Sequence, residues 1–446
     1  MTHEAMTTDA SPQLIISGAF LLPESRQASA LENHGLAIAD GVIADIAPIA
    51  TLRSRYPEAR HLYTEDGLVM PGLVNTHTHA AMSLFRGLAD DLPLASWLND
   101  HIFPAERQLT AELVYWGTLL SCAEMIRSGT TAFCDMYLFA GEVARAAAVS
   151  KMRAWVGEVF YDFPSPSYGS PEQGFAYLKE MFEEYRDHPR LAITVNPHSL
   201  YLCSPDLLKR LAEIARSHGA IVNTHLSETE DEVKTCVERY GLRPVAHLDR
   251  HGLLAPNTLA AHGVHLNEDE ISLLAERGVG ISHCLQSNLK LASGIAPVLR
   301  LIAGGVKLAL GTDGSASNNG VDLFAEMKSV ALVHKGVSGD PTAMPAETVL
   351  HLATMGGAAV LGATMAIGSL EVGKKADCIV LDLDASHLTP LYNLPSQLVY
   401  AARGSDVRHS IIDGEIVMRD RKILAFDEEE VRVKAREFAE KFRAGI

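Results

Sequence analysis

Between Pro71 and about Leu370 the chain alternates short apolar runs with longer stretches whose apolar residues recur at helical spacing. Eight runs read as strands: Val69–Asn75, Thr130–Met136, Arg153–Phe160, Leu191–Pro197, Ala220–His225, Thr258–Gly263, Gly278–His283 and Lys307–Thr312. Helical patterns such as Thr110–Ser128 and Ser204–His218 lie between them, the second opening on the cap-like Ser204-Pro205-Asp206. Repeated strand–helix units predict a parallel sheet. Eight of them over about 300 residues predict a closed (β/α)8, TIM-like barrel. An open doubly wound sheet fits less well, because no G-x-G-x-x-G follows the first strand.

The flanks carry a different pattern. Gln13–Pro23, Gly35–Ile46 and His61–Leu68 read as short strands with turns such as Asp40-Gly41; Asp377–Leu383, Arg408–Asp413 and Glu415–Met418 do the same beyond the barrel. The two β-rich ends are expected to pair into one small β-sandwich. The expected organisation is therefore 1–70 and 371–446 as the two parts of the sandwich, enclosing a barrel at 71–370. A charged helix closes the chain from Glu428 to Arg443, with Val431, Ala435, Phe438 and Phe442 on one face to pack against the body.

Composition narrows the class. The 446 residues are 47% hydrophobic and 21% charged, as in an ordinary globular enzyme. No apolar run approaches the roughly 20 residues that span a bilayer. A net charge of −17 disfavours nucleic-acid and anionic-membrane partners, which need a basic surface. The polar stretch Met1 to Gln13 lacks the basic and apolar regions of a secretory signal. Six scattered cysteines without a C-x-x-C pair suit buried free thiols in a reducing cytoplasm.

The chemistry begins at Val74-Asn75-Thr76-His77-Thr78-His79. Residues i and i+2 of a strand share a face, so His77 and His79 can converge on one point. A surface loop could hold the same pair. In barrels of this kind, however, active groups gather at the C-terminal strand ends, and here polar residues recur at those ends. They are Asn196-Pro197-His198, Thr224-His225 with Glu228 close behind, His262, Ser282-His283, and Thr312-Asp313-Gly314. Three imidazoles and one carboxylate suit a borderline ion such as Zn²⁺ or Fe²⁺ with room for a water. We assign His77, His79, His225 and Asp313 as its ligands.

Several stretches resemble the amidohydrolase superfamily, and within it the 5-methylthioadenosine/S-adenosylhomocysteine deaminases. They are Pro71 to His79, Leu84-Phe85-Arg86-Gly87-Leu88-Ala89-Asp90-Asp91-Leu92, Pro104-Ala105-Glu106, Ser287-Asn288-Leu289-Lys290-Leu291, Gly311 to Asn319 and the closing Gly368 to Asp377. Triazine hydrolases and guanine deaminases share parts of the pattern and supply the alternative reading. The resemblance implies hydrolytic deamination of an adenine nucleoside: 5′-methylthioadenosine, adenosine or S-adenosylhomocysteine. It implies one divalent ion per subunit, zinc ahead of iron, and a homo-oligomer (dimer or tetramer).

It also implies roles. His77, His79, His225 and Asp313 hold the metal, and Asp313 takes a proton from the attacking water. His262 faces that water, and Glu228 works on the purine at N1. Glu106 and His198 contact the nucleoside, Glu106 through ribose hydroxyls, and Trp97 covers it. Arg153 matches the first of two arginines that hold the homocysteine carboxylate in such enzymes. The second has no counterpart in Phe160-Tyr161-Asp162-Phe163-Pro164-Ser165-Pro166-Ser167-Tyr168. A carboxylate would lack its bidentate partner, so methylthioadenosine or adenosine is expected to be preferred over S-adenosylhomocysteine. The fourth strand has no lysine to bridge two ions, so one metal is expected rather than two.

Overall fold

The computed structural model describes residues 11–26, 30–92 and 96–445. Most of the polar N-terminal stretch, Met1 to Gln13, therefore lies outside the described residues.

The eight expected strands form, in chain order, as Leu73–Thr78, Thr130–Tyr137, Arg153–Phe160, the broken pair Leu191–Ile193 and Asn196–Pro197, Val222–Leu226, Thr258–His262, Gly280–His283 and Lys307–Leu310. The first four make one arc and the last four another. A parallel bridge from Val195 to Val222 joins the arcs on one side. On the other, Asp313 N–H donates to His77 O at 2.9 Å and Thr76 Oγ1 to Leu310 O at 2.8 Å. The TIM-like barrel is thus closed. Its helices follow the expected signals: Pro205–His218 is capped by Ser204, whose side chain accepts from Leu207 N–H, and ends at Gly219 with φ 62°.

One strand differs from expectation. Val69–Pro71 belongs to a long strand, Arg60–Pro71, outside the barrel, and the first barrel strand starts only at Leu73. Gly72 is the break between them. A Cβ there would lie 2.1 Å from Thr131 Oγ1, so the chain turns where only glycine fits.

The two ends of the chain do pair, as expected. Arg60–Pro71 runs antiparallel to Cys378–Asp382, with Val69 opposite Val380. The strands of this β domain are linked by hydrogen bonds into one sheet of nine strands. Alternate residues such as Leu14, Ile16, Leu36, Ile38, Val69 and Val380 share one apolar core.

The chain folds into two compact units. One comprises Met1–Val74, Glu124–Ala132 and Asp322–Phe426; the other comprises Asn75–Ala123, Phe133–Val321 and Asp427–Ile446. These limits differ from the expected divisions at 70 and 370. The helices Leu323–Ser338 and Ala346–Leu352 pack against Leu394–Tyr400 and so join the unit that holds the nine-stranded sheet. The last helix, Glu428–Gly445, joins the other unit, because Phe438 and Phe442 pack on Phe85 with ring centroids 6.1 and 6.2 Å away. Among the described residues no helix is long and apolar enough to cross a membrane. All six cysteines are free and buried.

Candidate active site

The first barrel strand is buried along its whole length, which lets it carry His77 into the barrel and deliver His79 just past its end. Gly311 of the facing segment permits this approach, since a Cβ there would meet His77 N at 2.9 Å. Ring nitrogens of His77, His79 and His225 lie within 4.8 Å of one another. Asp313 Oδ1 is 3.2 Å from His79 Nε2 and 3.7 Å from His77 Nε2. The other ring nitrogens of His79 and His225 face outward. His79 Nδ1 donates to Met136 O, and His225 Nδ1 donates to His198 O at 2.7 Å. Each ring is thereby turned so that Nε2 points inward.

This donor set fits a divalent ion. Both ring nitrogens of His77 are buried without a hydrogen-bond partner, an arrangement proteins avoid unless another ligand satisfies the group. Burial and the neighbouring imidazoles push His77 and His225 well below the ordinary histidine pKa, into the neutral form that ligates. Burial opposes charge on His79 as well, but the hydrogen bond and charge of Asp313 outweigh it and raise His79 to about 9. Asp313 is held far below the usual carboxylate range: burial works against its charge, and the hydrogen bond to His79 and the nearby imidazoles prevail. Its oxygens also accept from Gly314 N–H at 2.7 Å, Ser287 Oγ at 2.6 Å and Ser317 Oγ at 2.9 Å.

Beside this cluster stand Glu228 and His262, with Glu228 Oε2 3.9 Å from His262 Nε2. His262 Nδ1 meets Asn288 Oδ1 at 2.8 Å. That oxygen only accepts, so Nδ1 donates to it and Nε2 is turned toward Glu228. Ser227, His262 and Asp313 all have positive φ, 49°, 74° and 61°. Left-handed backbone costs about 1–2 kcal/mol at a residue with a Cβ, and such strain collects at functional sites.

His79, His225, Glu228, His262 and Asp313 line one cavity. Glu106, His198 and Trp97 line it too. Burial raises Glu106 to about 7, partly offset by the Tyr137 hydroxyl and His79. Burial and the charge of His79 push His198 down to about 3, so its ring is neutral. Trp97 is buried, in the short helical turn Trp97–Ile102.

Arg153 does not join them. It stands at the opposite, N-terminal end of Arg153–Phe160 and donates to Pro189 O at 3.2 Å. A strand of eight residues separates that end from the mouth by about 23 Å. Arg153 is thus absent from the residues that line the cavity, contrary to the expected contact with substrate.

Other residues escaped the sequence reading. Glu232, in an acidic run that looks solvated, is 5% exposed and accepts from Ser227 and Glu228 N–H, both at 2.8 Å. Ser287, Asn288 and Ser317 lie within the resembling stretches, but only their contacts show that they hold Asp313 and His262. Those stretches also meet one another. Lys290 Nζ donates to Asp90 Oδ1 at 2.6 Å, to Ala316 O at 3.2 Å and to Asn319 Oδ1, while Arg86 donates to Asn319 O at 2.8 Å.

Comparison with known proteins agrees with this picture. Residues 68–417 match the family model described as "Amidohydrolase family". The chain is 53% identical over 428 residues to a 5-methylthioadenosine/S-adenosylhomocysteine deaminase of Syntrophobacter fumaroxidans, covering 96% of this chain and 97% of that one. It is 44% identical over 435 residues to a 5′-deoxyadenosine deaminase of Methanosarcina mazei, covering 97% and 99%. The crystal structure of a Xanthomonas campestris adenosine deaminase with bound zinc superposes with a TM-score of 0.95 at 41% identity, covering 97% and 99%. The chain belongs to the amidohydrolase family.

Proposed function

We propose that this protein is a zinc-dependent hydrolase that deaminates adenine nucleosides at C6 of the purine, with 5′-methylthioadenosine as its preferred substrate. The observation that carries the reading is the meeting of Glu228, His262 and Asp313 in one cavity, beside the clustered imidazoles of His77, His79 and His225. The names of the similar proteins, which act on adenosine and its 5′-modified forms, support it. Glu106 and His198, both in the lining, favour a ribose-bearing substrate over a triazine or guanine.

His77, His79, His225 and Asp313 would hold the ion. When bound, a divalent ion of this kind lowers the pKa of water toward neutrality. Asp313 takes a proton from the attacking water. His262, through Nε2, orients that water toward C6. Glu228 gives its proton to N1 as the C6–O bond forms. The hydroxyl proton on C6 then returns to Glu228, and the proton on Asp313 leaves with the amine. The C6–N bond breaks to give ammonia and an inosine-type nucleoside. Glu106 accepts from the ribose hydroxyls, and Trp97 closes over the sugar and base. Each proton transfer contributes on the order of 10²–10⁴-fold.

Preference among 5′-substituents follows from charge. Among the described residues lining the cavity there is no lysine or arginine, and three carboxylates, Glu106, Glu228 and Asp313, are present. The homocysteine carboxylate of S-adenosylhomocysteine would meet no lysine or arginine among these residues. Six buried thiols support a reducing cytoplasm as the working compartment. A homodimer or homotetramer is the assembly we expect, to be checked by light scattering.

The test is kcat/KM on zinc-loaded protein for 5′-methylthioadenosine, adenosine, S-adenosylhomocysteine and guanine, followed as ammonia release. Fast turnover of methylthioadenosine with slow turnover of S-adenosylhomocysteine supports the reading. No turnover of any adenine nucleoside on metal-loaded protein overturns it.

A further inference from the structure

Glu228 is gripped twice, and the second grip comes from a residue that no sequence signal marks. Ser293 Oγ donates to Glu228 Oε1 at 3.3 Å. The other carboxyl oxygen, Oε2, is the one that faces His262 Nε2. Ser293 is buried at 7% exposure, in a tight turn whose flanking residues both take left-handed backbone: Ala292 at φ 53° and Gly294 at φ 122°. Its own main chain is fastened on both sides. Ser293 N–H donates to Asn288 O at 2.9 Å, and His265 Nε2 donates to Ser293 O at 2.7 Å.

These contacts tie two active groups to one frame. Asn288 holds the Ser293 main chain through its carbonyl and the His262 ring through its side chain. His265 holds Ser293 through its ring, and its N–H donates to Ser227 O at 2.9 Å, next to Glu228. Glu232 fixes the Glu228 backbone from the other side. Strain at Ala292 is unfavourable by itself, so the fold retains a costly turn that presents this hydroxyl.

We propose that Ser293 is a positioning residue for the proton donor Glu228. By donating to Oε1 it leaves Oε2 as the oxygen that carries the proton, turned into the cavity. A carboxyl free to rotate would present the wrong oxygen for part of the time and lose the alignment that proton transfer requires. The inference rests on the proposed role of Glu228.

The experiment compares Ser293→Ala, Ser293→Thr, Glu228→Gln and the double variant Glu228→Gln/Ser293→Ala, each zinc-loaded with metal content and Tm recorded, on 5′-methylthioadenosine. Ser293→Ala is expected to lower kcat about tenfold, as loss of one hydrogen bond to a carboxyl group does, while KM stays within about twofold. Ser293→Thr keeps the hydroxyl and restores most of kcat. In the Glu228→Gln background the alanine substitution adds no comparable loss, because the group it aligns is gone. An unchanged kcat in Ser293→Ala overturns the inference, as does an equal tenfold loss in both backgrounds, which would mark a structural role. A fully active Glu228→Gln instead overturns the proposed proton donor, and the inference with it.

Discussion

Asp313 and His79 meet at 3.2 Å, Oδ1 to Nε2, though one follows the last barrel strand and the other the first. The contact spans the seam where the barrel closes. It also explains why His79 stands at about 9 while the other two imidazoles are neutral.

Metal uptake should therefore release a proton. Below about 9 the His79 ring of the metal-free protein holds its proton, which a divalent ion must displace, so apparent affinity rises with pH up to that value. Titration calorimetry of the chelated protein with zinc at pH 7 should show a heat that varies with buffer ionisation enthalpy. A buffer-independent heat would contradict this. Chelation should also abolish deamination and lower Tm, since at 1,000 times Kd a bound ligand adds about 4 kcal/mol to stability.

Substrate binding should carry a pH dependence from Glu106. Its carboxyl is raised to about 7, so the ionised, hydrogen-bond-accepting form dominates above that pH and is lost as pH falls through it. KM for the nucleoside should rise on acidification, and Glu106→Gln should flatten the curve. A bound cation nearby moves the midpoint below 7 without changing the sign. An identical KM profile in the two proteins would remove Glu106 from nucleoside binding.

Lys290, at the end of the helix Leu285–Lys290, ties two loop stretches together through Asp90 on one and Ala316 and Asn319 on the other. Lys290→Met keeps the length of the stem but deletes the donors. It should raise KM severalfold with less effect on kcat, because it loosens the loops around the cavity and leaves the proton-transfer groups in place. Steady-state kinetics decide it, and a change confined to kcat would count against this role.

Gly72→Ala tests the break between the outer strand and the barrel. The new methyl would sit 2.1 Å from Thr131 Oγ1 and 2.3 Å from Cγ2, so one of the two backbones must move. The expected cost is about 1–3 kcal/mol, read from denaturant unfolding. A variant as stable as the parent would show that this segment yields freely.

The sequence by itself determined the barrel, the pairing of the chain ends and most of the polar side chains that gather in the cavity. Those features are local. Strand–helix alternation shows as periodicity, and histidines at strand ends stand out against apolar runs. The strand boundary at Gly72 was less legible, because Val69 to Val74 is almost continuously apolar and only the Thr131 contact requires the turn. Tertiary structure alone removed Arg153, since a residue at the far end of its strand can match a motif yet stand away from the mouth. It alone drew Glu232 out of an apparently solvated run, and it alone brought Ser293 to Glu228. Such contacts depend on how segments are packed in space. Their physical basis, burial and hydrogen-bond geometry, does not exist until the barrel has closed.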